Sequence, residues 1–298
     1  MQHFKEDQKP WLGFFCVFLA GVGFGFLGIF GRLAFDSGLG VGQLLAFRFL
    51  FASIVLAIGI LFYKPQLFKL NLSQFLISSF LGAGGYAVFS TLYFMSIQGL
   101  SVSLAALLLF TFPIFVNIGS HFFLNEKMNK KQFLSLVIAC SGICILLWGP
   151  VFFDSIVSIF YALTAAITYS VYVLFSGKYQ KNVNPLSSSL YVIFSAAVAL
   201  ILFHHVNILS IQNLTNHQIF YILGLSVICT ILPITLFLIG LQHLSSGKAS
   251  IVVMIEPVVA ALAAWIILDE KLRPLQFLGM ALVLSSLILN NYNKKYKS

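Results

Sequence analysis

The chain has 298 residues, of which 60% are apolar and 8% charged, and its formal net charge is +9. A soluble domain carries roughly 25% charged residues because its surface faces water. This composition therefore excludes an ordinary soluble domain and indicates a protein embedded in lipid. The basic residues lie singly or in small groups between apolar runs, which argues against nucleic-acid binding and is typical of membrane-protein loops.

Ten apolar segments follow one another along the chain, each near the ~20 residues that an α-helix needs to cross a bilayer. The first follows a charged start and has no cleavage site of the A-x-A type, so we interpret it as a retained helix. The sequence thus predicts an all-α polytopic membrane protein with ten transmembrane helices. The predicted spans 1 to 10 are 11–31, 41–63, 75–98, 102–122, 131–148, 154–176, 186–203, 217–242, 248–268 and 274–291.

The distribution of lysine and arginine predicts how these spans are oriented. With ten spans, both termini lie on the same side of the membrane and the loops alternate between the sides. Thirteen of the 17 lysines and arginines then fall on the side of the N-terminus. Because cytoplasmic loops carry an excess of these residues, we expect residues 1–10 and 292–298 to be short cytoplasmic tails.

The second half of the chain partly repeats the first at a shift of 144 residues. In this register Pro113 matches Pro257, and Glu126 matches Glu270, each glutamate being followed by a lysine. A repeat of five spans holds an odd number of helices, so its second copy enters the membrane upside down. Inverted repeats are a common plan of secondary transporters, which bind their solute near the midplane between the halves. The two inverted five-helix repeats are predicted at 11–148 and 154–291.

Two prolines at equivalent positions of the repeat and one acidic residue stand near the middle of predicted spans. Pro113 and Pro257 each remove a helical hydrogen bond, and the freed carbonyl needs a partner in protein or in a water-filled cavity. Paired breaks indicate a solute site, the alternative being a fixed kink. Glu256 is a candidate for binding a cationic group or for proton coupling, because an intramembrane acid is expensive and usually functional. The alternative is a neutral carboxyl that bonds a backbone carbonyl near Pro257.

Hydroxyl and aromatic side chains at fitting depths complete the predicted site. They suit an amphipathic organic solute, although any single tyrosine could instead serve packing. Besides Glu256, Pro257 and Pro113, the predicted cavity residues are Tyr86, Ser90, Tyr93, Thr111, Thr164, Thr168, Tyr169, Tyr172 and Thr230. Arg48 lies nearer the outer end of span 2, and for it we expect a structural role, either snorkelling to the interface or pairing, rather than contact with a solute.

The sequence predicts no cofactor, no metal site and no enzyme activity. Residues 23–28 fit G-x-G-x-x-G, but they lie inside a span without the strand that a nucleotide site requires, so they favour close helix packing. Gly247-Lys248 lacks the other residues of a P-loop. Transport would therefore run on gradients and not on ATP hydrolysed by this chain. The sequence also has no H-E-x-x-H, no G-x-S-x-G and no paired intramembrane aspartates.

Together these features resemble the EamA-type transporters of the drug/metabolite transporter superfamily. The resemblance covers nearly the whole chain and rests on the ten spans, the tandem repeat, Arg48-Phe49, Glu256-Pro257-Val258 and a Pro…Leu-x-Glu-Lys…Gln-Phe pattern in each half. It implies a cavity lined by spans 1, 3, 4, 6, 8 and 9, with spans 5 and 10 peripheral. It also implies alternating-access export of amino acids, drugs or other metabolites across the bacterial inner membrane. The alternative is a non-transporting structural or regulatory membrane subunit.

Overall fold

The computed structural model describes residues 9–149, 155–269 and 271–291. Most of the two predicted tails lies outside these ranges, as do Asp154, the first residue of the second predicted repeat, and Glu270 of the second Glu-Lys pair. Within the described ranges the regular structure is helical, which confirms the all-α prediction.

Nine helices of the described ranges are long and apolar enough to cross a membrane, and a tenth has 17 residues. At 1.5 Å per residue the tenth is about 26 Å long, close to the ~30 Å hydrocarbon thickness of a bilayer. Their order agrees with the ten predicted spans, and span 1 is longer than predicted. Spans 1 to 10 are Pro10–Asp36, Val41–Tyr63, Leu72–Ser96, Val102–Leu124, Lys130–Leu146, Ile156–Tyr179, Pro185–Phe203, Asn216–His243, Ser246–Ile267 and Pro274–Asn291.

Four spans are interrupted at positions that repeat at the 144-residue shift. Span 3 contains a wide π-helical turn at Leu81–Ala87, and span 8 contains one at Val227–Ile231. Span 4 breaks before Pro113, and span 9 narrows to a 3-10 turn at Val253–Ile255 before Pro257. Proline cannot donate the helical hydrogen bond and clashes with the preceding turn. The paired prolines therefore explain the paired breaks of spans 4 and 9.

Helix caps and turns repeat in the same register. Asn71 and Thr215 each accept a hydrogen bond from the backbone N–H three residues later, in the capping boxes that begin spans 3 and 8. Asn125 and Asp269 both have a φ of 54°. This left-handed conformation turns the chain sharply after a helix, here after spans 4 and 9. The repeat thus extends from the sequence to the backbone.

The two halves pack against each other through pairs of spans that the repeat relates by symmetry. Span 1 packs along span 8, and its counterpart, span 6, packs along span 3. Spans 2 and 7 pack against each other, as do spans 5 and 10. This is the packing expected from a pseudo-two-fold axis in the membrane plane, which relates inverted repeats. The main apolar core accordingly contains residues from both halves.

Glycines let span 1 approach spans 8 and 9 closely. A Cβ built on Gly23 would lie 2.8 Å from the carbonyl oxygen of Ile228, and one on Gly25 would lie 2.9 Å from that of Glu256. A Cβ on Gly28, one turn further along, would meet open space. The G-x-G-x-x-G segment therefore serves helix packing through its first two glycines, as small residues do in membrane bundles.

We expect Gly25→Ala to lower the thermal stability of the protein in detergent and Gly28→Ala to leave it unchanged or raise it. The methyl group at position 25 would lie 2.6 Å from Cβ of Val259 as well as against the backbone, and such overpacking costs about 1–3 kcal/mol. At position 28 alanine meets no neighbour and reduces the entropy of the unfolded chain. Thermal unfolding of both variants measures the difference, and equal destabilisation would contradict this packing.

Candidate functional site

A cavity of about 740 Å³ opens at one end of the bundle, and its walls are mostly apolar and aromatic. Helix ends form its mouth: Asp36 ends span 1, Val102 begins span 4 and Leu268 follows span 9. The cavity extends inward to Tyr169 and Glu256, which lie near the middle of spans 6 and 9. A cavity of this size accommodates a small organic molecule.

Six of the twelve predicted site residues lie on the wall of this cavity. They come from spans 3, 6 and 9, and they combine hydroxyl groups, aromatic rings and a carboxylate. These residues are Tyr86, Ser90, Tyr93, Tyr169, Glu256 and Pro257. The fold thus brings together groups that are far apart in the sequence, and their contact with a solute stays a prediction.

The other six predicted site residues lie away from the wall. They are Thr111, Pro113, Thr164, Thr168, Tyr172 and Thr230. Thr164 is exposed on the surface of the bundle, and Thr168 donates its hydroxyl hydrogen to the carbonyl oxygen of Thr164 at 2.8 Å. Thr111 donates in the same way to the carbonyl oxygen of Leu108 at 2.6 Å. These threonine hydroxyls therefore bind the backbone of their own helices.

Pro113 and Tyr172 are buried behind the cavity. The carbonyl oxygen of Pro113 accepts a hydrogen bond from Nδ2 of Asn117 at 2.8 Å. The ring of Tyr172 packs edge-on against the ring of Tyr86, with 5.4 Å between their centroids. Both residues thus support neighbours of the site: Pro113 through the break in span 4, and Tyr172 through a side chain that does line the cavity.

Aromatic rings from three spans form one side of the cavity. The ring centroids of Phe89 and Tyr169 are 4.7 Å apart, those of Phe112 and Tyr169 are 4.8 Å apart, and those of Tyr86 and Phe89 are 5.4 Å apart. Such clusters are stabilised by edge-to-face and offset contacts. An aromatic wall provides a surface for the apolar body of a solute and can also attract a cation.

Arg48 lies inside the bundle with 3% of its surface exposed. Its Nε donates to Oγ1 of Thr230 at 2.6 Å, and its Nη2 donates to the carbonyl oxygen of Cys229 at 2.7 Å. That carbonyl needs a side-chain donor because Pro233, four residues later, has no N–H to offer it. The structure contradicts snorkelling and shows pairing. It also places Arg48 on the cavity wall, a position that the sequence reasoning missed.

The cavity wall differs from the one that the family resemblance implied. Among the described residues, span 8 does not contribute to the wall, whereas Arg48 of span 2, Leu146 of span 5 and Gln276 of span 10 do. The reason is geometric. Arg48 reaches across to the π-helical turn of span 8 and covers it, while the ends of spans 5 and 10 reach the mouth.

The opposite end of the bundle is closed by contacts between the halves. The carboxylate of Glu126, in the loop after span 4, accepts a hydrogen bond at 3.1 Å from the backbone N–H of Ser246, where span 9 begins. Nζ of Lys181 lies 4.0 Å from this carboxylate. Burial raises the pKa of Glu126, and Lys181 and the backbone N–H groups of Gly247 and Ser246 oppose that shift. A negative charge at a helix N-terminus is favourable, so Glu126 ties span 9 to the first half.

Buried amides extend this closure into the bundle. Nε2 of Gln132 donates to Oδ1 of Asn117 at 2.8 Å, and Nδ2 of Asn117 donates to Oγ of Ser250 at 3.4 Å. A Cβ built on Gly247 would lie 3.2 Å from Cγ of Asn117. Spans 4 and 9 are therefore in direct contact here, and the cavity is open at one end of the bundle and closed at the other.

Comparison with protein families gives one match that covers nearly the whole chain. The model of the EamA-like transporter family matches residues 11–148 and 156–292. An uncharacterized transporter of Archaeoglobus fulgidus is 25% identical over 69% of this chain and 74% of its own length. In Escherichia coli strain K12, a probable amino-acid metabolite efflux pump is 23% identical over 78% of this chain and 83% of its own. The threonine/homoserine exporter RhtA of the same strain is 27% identical over 78% and 77%, respectively.

A solved crystal structure of another protein has the same fold. It superposes with a TM-score of 0.79, and the alignment covers 93% of this chain and 95% of that one. The sequence identity is 15%. At this identity the likeness concerns the arrangement of the helices alone.

Proposed function

Because this chain belongs to the EamA-like transporter family, we propose that it exports small organic solutes across the bacterial inner membrane by gradient-driven alternating access. Its family makes it a multi-pass membrane transporter of small solutes and not an enzyme. The observation that supports the finer proposal is the cavity, which is open at one end and closed at the other. In an inverted repeat, exchanging the two halves' conformations opens the closed end and closes the open one.

The chemistry of the cavity favours an amphipathic metabolite. Glu256 can pair with an ammonium group, and the rings of Phe89 and Tyr169 can hold an apolar body. Two of the relatives are named for the export of amino-acid metabolites and of threonine and homoserine. We therefore propose an amino acid or a similar metabolite as the solute, with Glu256 as the candidate site of proton coupling.

Flux through reconstituted vesicles tests this proposal. Purified protein in vesicles loaded with unlabelled amino acid should exchange it for external labelled amino acid, with saturation, while protein-free vesicles should not. The same vesicles are then loaded with cationic drugs or nucleotides. If the protein moves none of these solutes, the alternative, a non-transporting subunit, is favoured.

The orientation in the membrane follows from the lysine distribution and makes a separate prediction. We expect Met128→Cys to react with a membrane-impermeant thiol reagent from the cytoplasm only, and Asp269→Cys from the periplasm only. The two positions follow the equivalent spans 4 and 9, so inverted repeats place them on opposite sides. The four native cysteines are first replaced. Labelling of both positions from one side would contradict the inverted topology. In this orientation the cavity opens to the periplasm.

A further inference from the structure

The hydrogen bonds of Arg48 orient its guanidinium without neutralising it. Its two acceptors in span 8 are the hydroxyl of Thr230 and the carbonyl of Cys229, both uncharged. A guanidinium carries five N–H groups, so further donors remain after these two bonds. The position of the group is fixed by the backbone, because Pro233 leaves the Cys229 carbonyl in need of a donor. An oriented charge on a cavity wall is a preorganised binding group.

Arg48 and, when it is ionised, Glu256 present opposite charges to the same cavity from opposite halves of the chain. Arg48 lies on span 2 and Glu256 near the middle of span 9. The same wall also carries the rings of Tyr86 and Tyr169. In a cavity shielded by apolar walls, a charged group on a solute gains more from a fixed counter-charge than it would in water. The arrangement therefore fits a solute with two oppositely charged groups and an apolar body.

We propose that Arg48 binds the anionic group of the transported solute and thereby determines its specificity. This inference rests on the proposed function and deepens it. A planar guanidinium matches a carboxylate or a phosphate group in a fork of two parallel hydrogen bonds. The cavity then selects solutes that carry an anionic group and rejects amines that lack one.

Two probes that differ only by a carboxylate test the assignment: phenylalanine and 2-phenylethylamine. Thermal stabilisation of the purified protein reports the binding of each probe, because a ligand that binds the folded state raises its stability. We expect native protein to bind phenylalanine about 10- to 100-fold more tightly than 2-phenylethylamine. This is the gain in affinity that hydrogen bonds to a charged group provide. Arg48→Gln should reduce this ratio to near one, and Arg48→Lys should keep part of it, because lysine keeps the charge but loses the fork.

A purely structural role of Arg48 gives a different result. Arg48→Gln would then lower the melting temperature and weaken the binding of both probes alike, leaving the ratio of their affinities at the native value. Arg273→Gln is the matched control, since Arg273 is exposed and does not line the cavity, and it should keep the preference for phenylalanine. Equal binding of the two probes by native protein would overturn the role of Arg48 even if Arg48→Gln does not fold. Failure of the protein to move any solute in vesicles would instead remove the proposed function.

Discussion

Glu256→Gln is expected to reduce flux of an ammonium-bearing solute about 30-fold, the equivalent of about 2 kcal/mol for a hydrogen bond to a charged group. Glutamine keeps the size of the side chain and its capacity to accept hydrogen bonds, but it lacks the charge. Glu256 lies on the cavity wall and is partly exposed to the cavity, so the substitution should leave folding intact. Exchange flux in vesicles, normalised to the amount of folded protein, measures the effect.

The same variant tests proton coupling. Glutamine does not titrate, so the flux that remains in Glu256→Gln should not respond to an imposed pH gradient. Asp36→Asn is the matched control, because Asp36 also lines the cavity but is exposed at its mouth. We expect it to change flux much less. Unchanged, fully pH-coupled flux in Glu256→Gln would show that this carboxylate is neither the cation site nor the proton site. Loss of folding would favour the alternative role, in which a neutral Glu256 carboxyl bonds a backbone carbonyl near Pro257.

The helices and their repeat could be predicted because both leave strong signals in the sequence. A span needs a long apolar run, and few other structures require one. The repeat was visible in residues that rarely match by chance, above all Pro113 and Pro257. The structure adds that their surroundings repeat too, down to the left-handed Asn125 and Asp269. These features are local, so one sequence suffices to find them.

The direction in which each side chain faces could not be predicted in the same way. Residues of one helix differ by about 100° in direction per position, and depth in the membrane does not settle which side faces the cavity. Tyr169 and Thr168 are neighbours in span 6, yet Tyr169 lines the cavity and Thr168 turns toward the backbone of Thr164 at the surface. A helix that is apolar all round has no polar face that would distinguish its cavity-facing side from its lipid-facing side.

The position of Arg48 was missed for a related reason. Its partners are a hydroxyl and a backbone carbonyl of span 8, and no acidic side chain marks them in the sequence. One signal was present. Pro233 lies four residues after Cys229 and has no N–H, so the Cys229 carbonyl loses its helical hydrogen bond and requires another donor. Three spans contain an internal proline, and only the packing of span 2 against span 8 decides which of the freed carbonyls Arg48 binds.

Covalent closure of the sealed end is expected to abolish flux. In the background without native cysteines, Asn117→Cys and Gly247→Cys together should form a disulfide. A Cβ at position 247 would lie 3.2 Å from Cγ of Asn117, and the Sγ of a cysteine at position 117 would replace that Cγ. The two sulfur atoms are therefore within reach of an S–S bond of about 2.0 Å. If this end must open in each transport cycle, oxidation should stop exchange and a reductant should restore it. Each single cysteine variant, treated identically, controls for the loss of the Asn117 hydrogen bonds.

The inverted repeat also predicts a second pair that behaves in the opposite way. The residues equivalent to Gly247 and Asn117 at the shift of 144 are Ser103 and Ala261, and both line the open cavity. They should meet only when the open end closes, as alternating access requires. We therefore expect Ser103→Cys with Ala261→Cys to oxidise slowly at rest and faster during exchange, and to stop flux once formed. Rapid oxidation of this pair at rest, or flux that survives either disulfide, would contradict alternating access between the two ends.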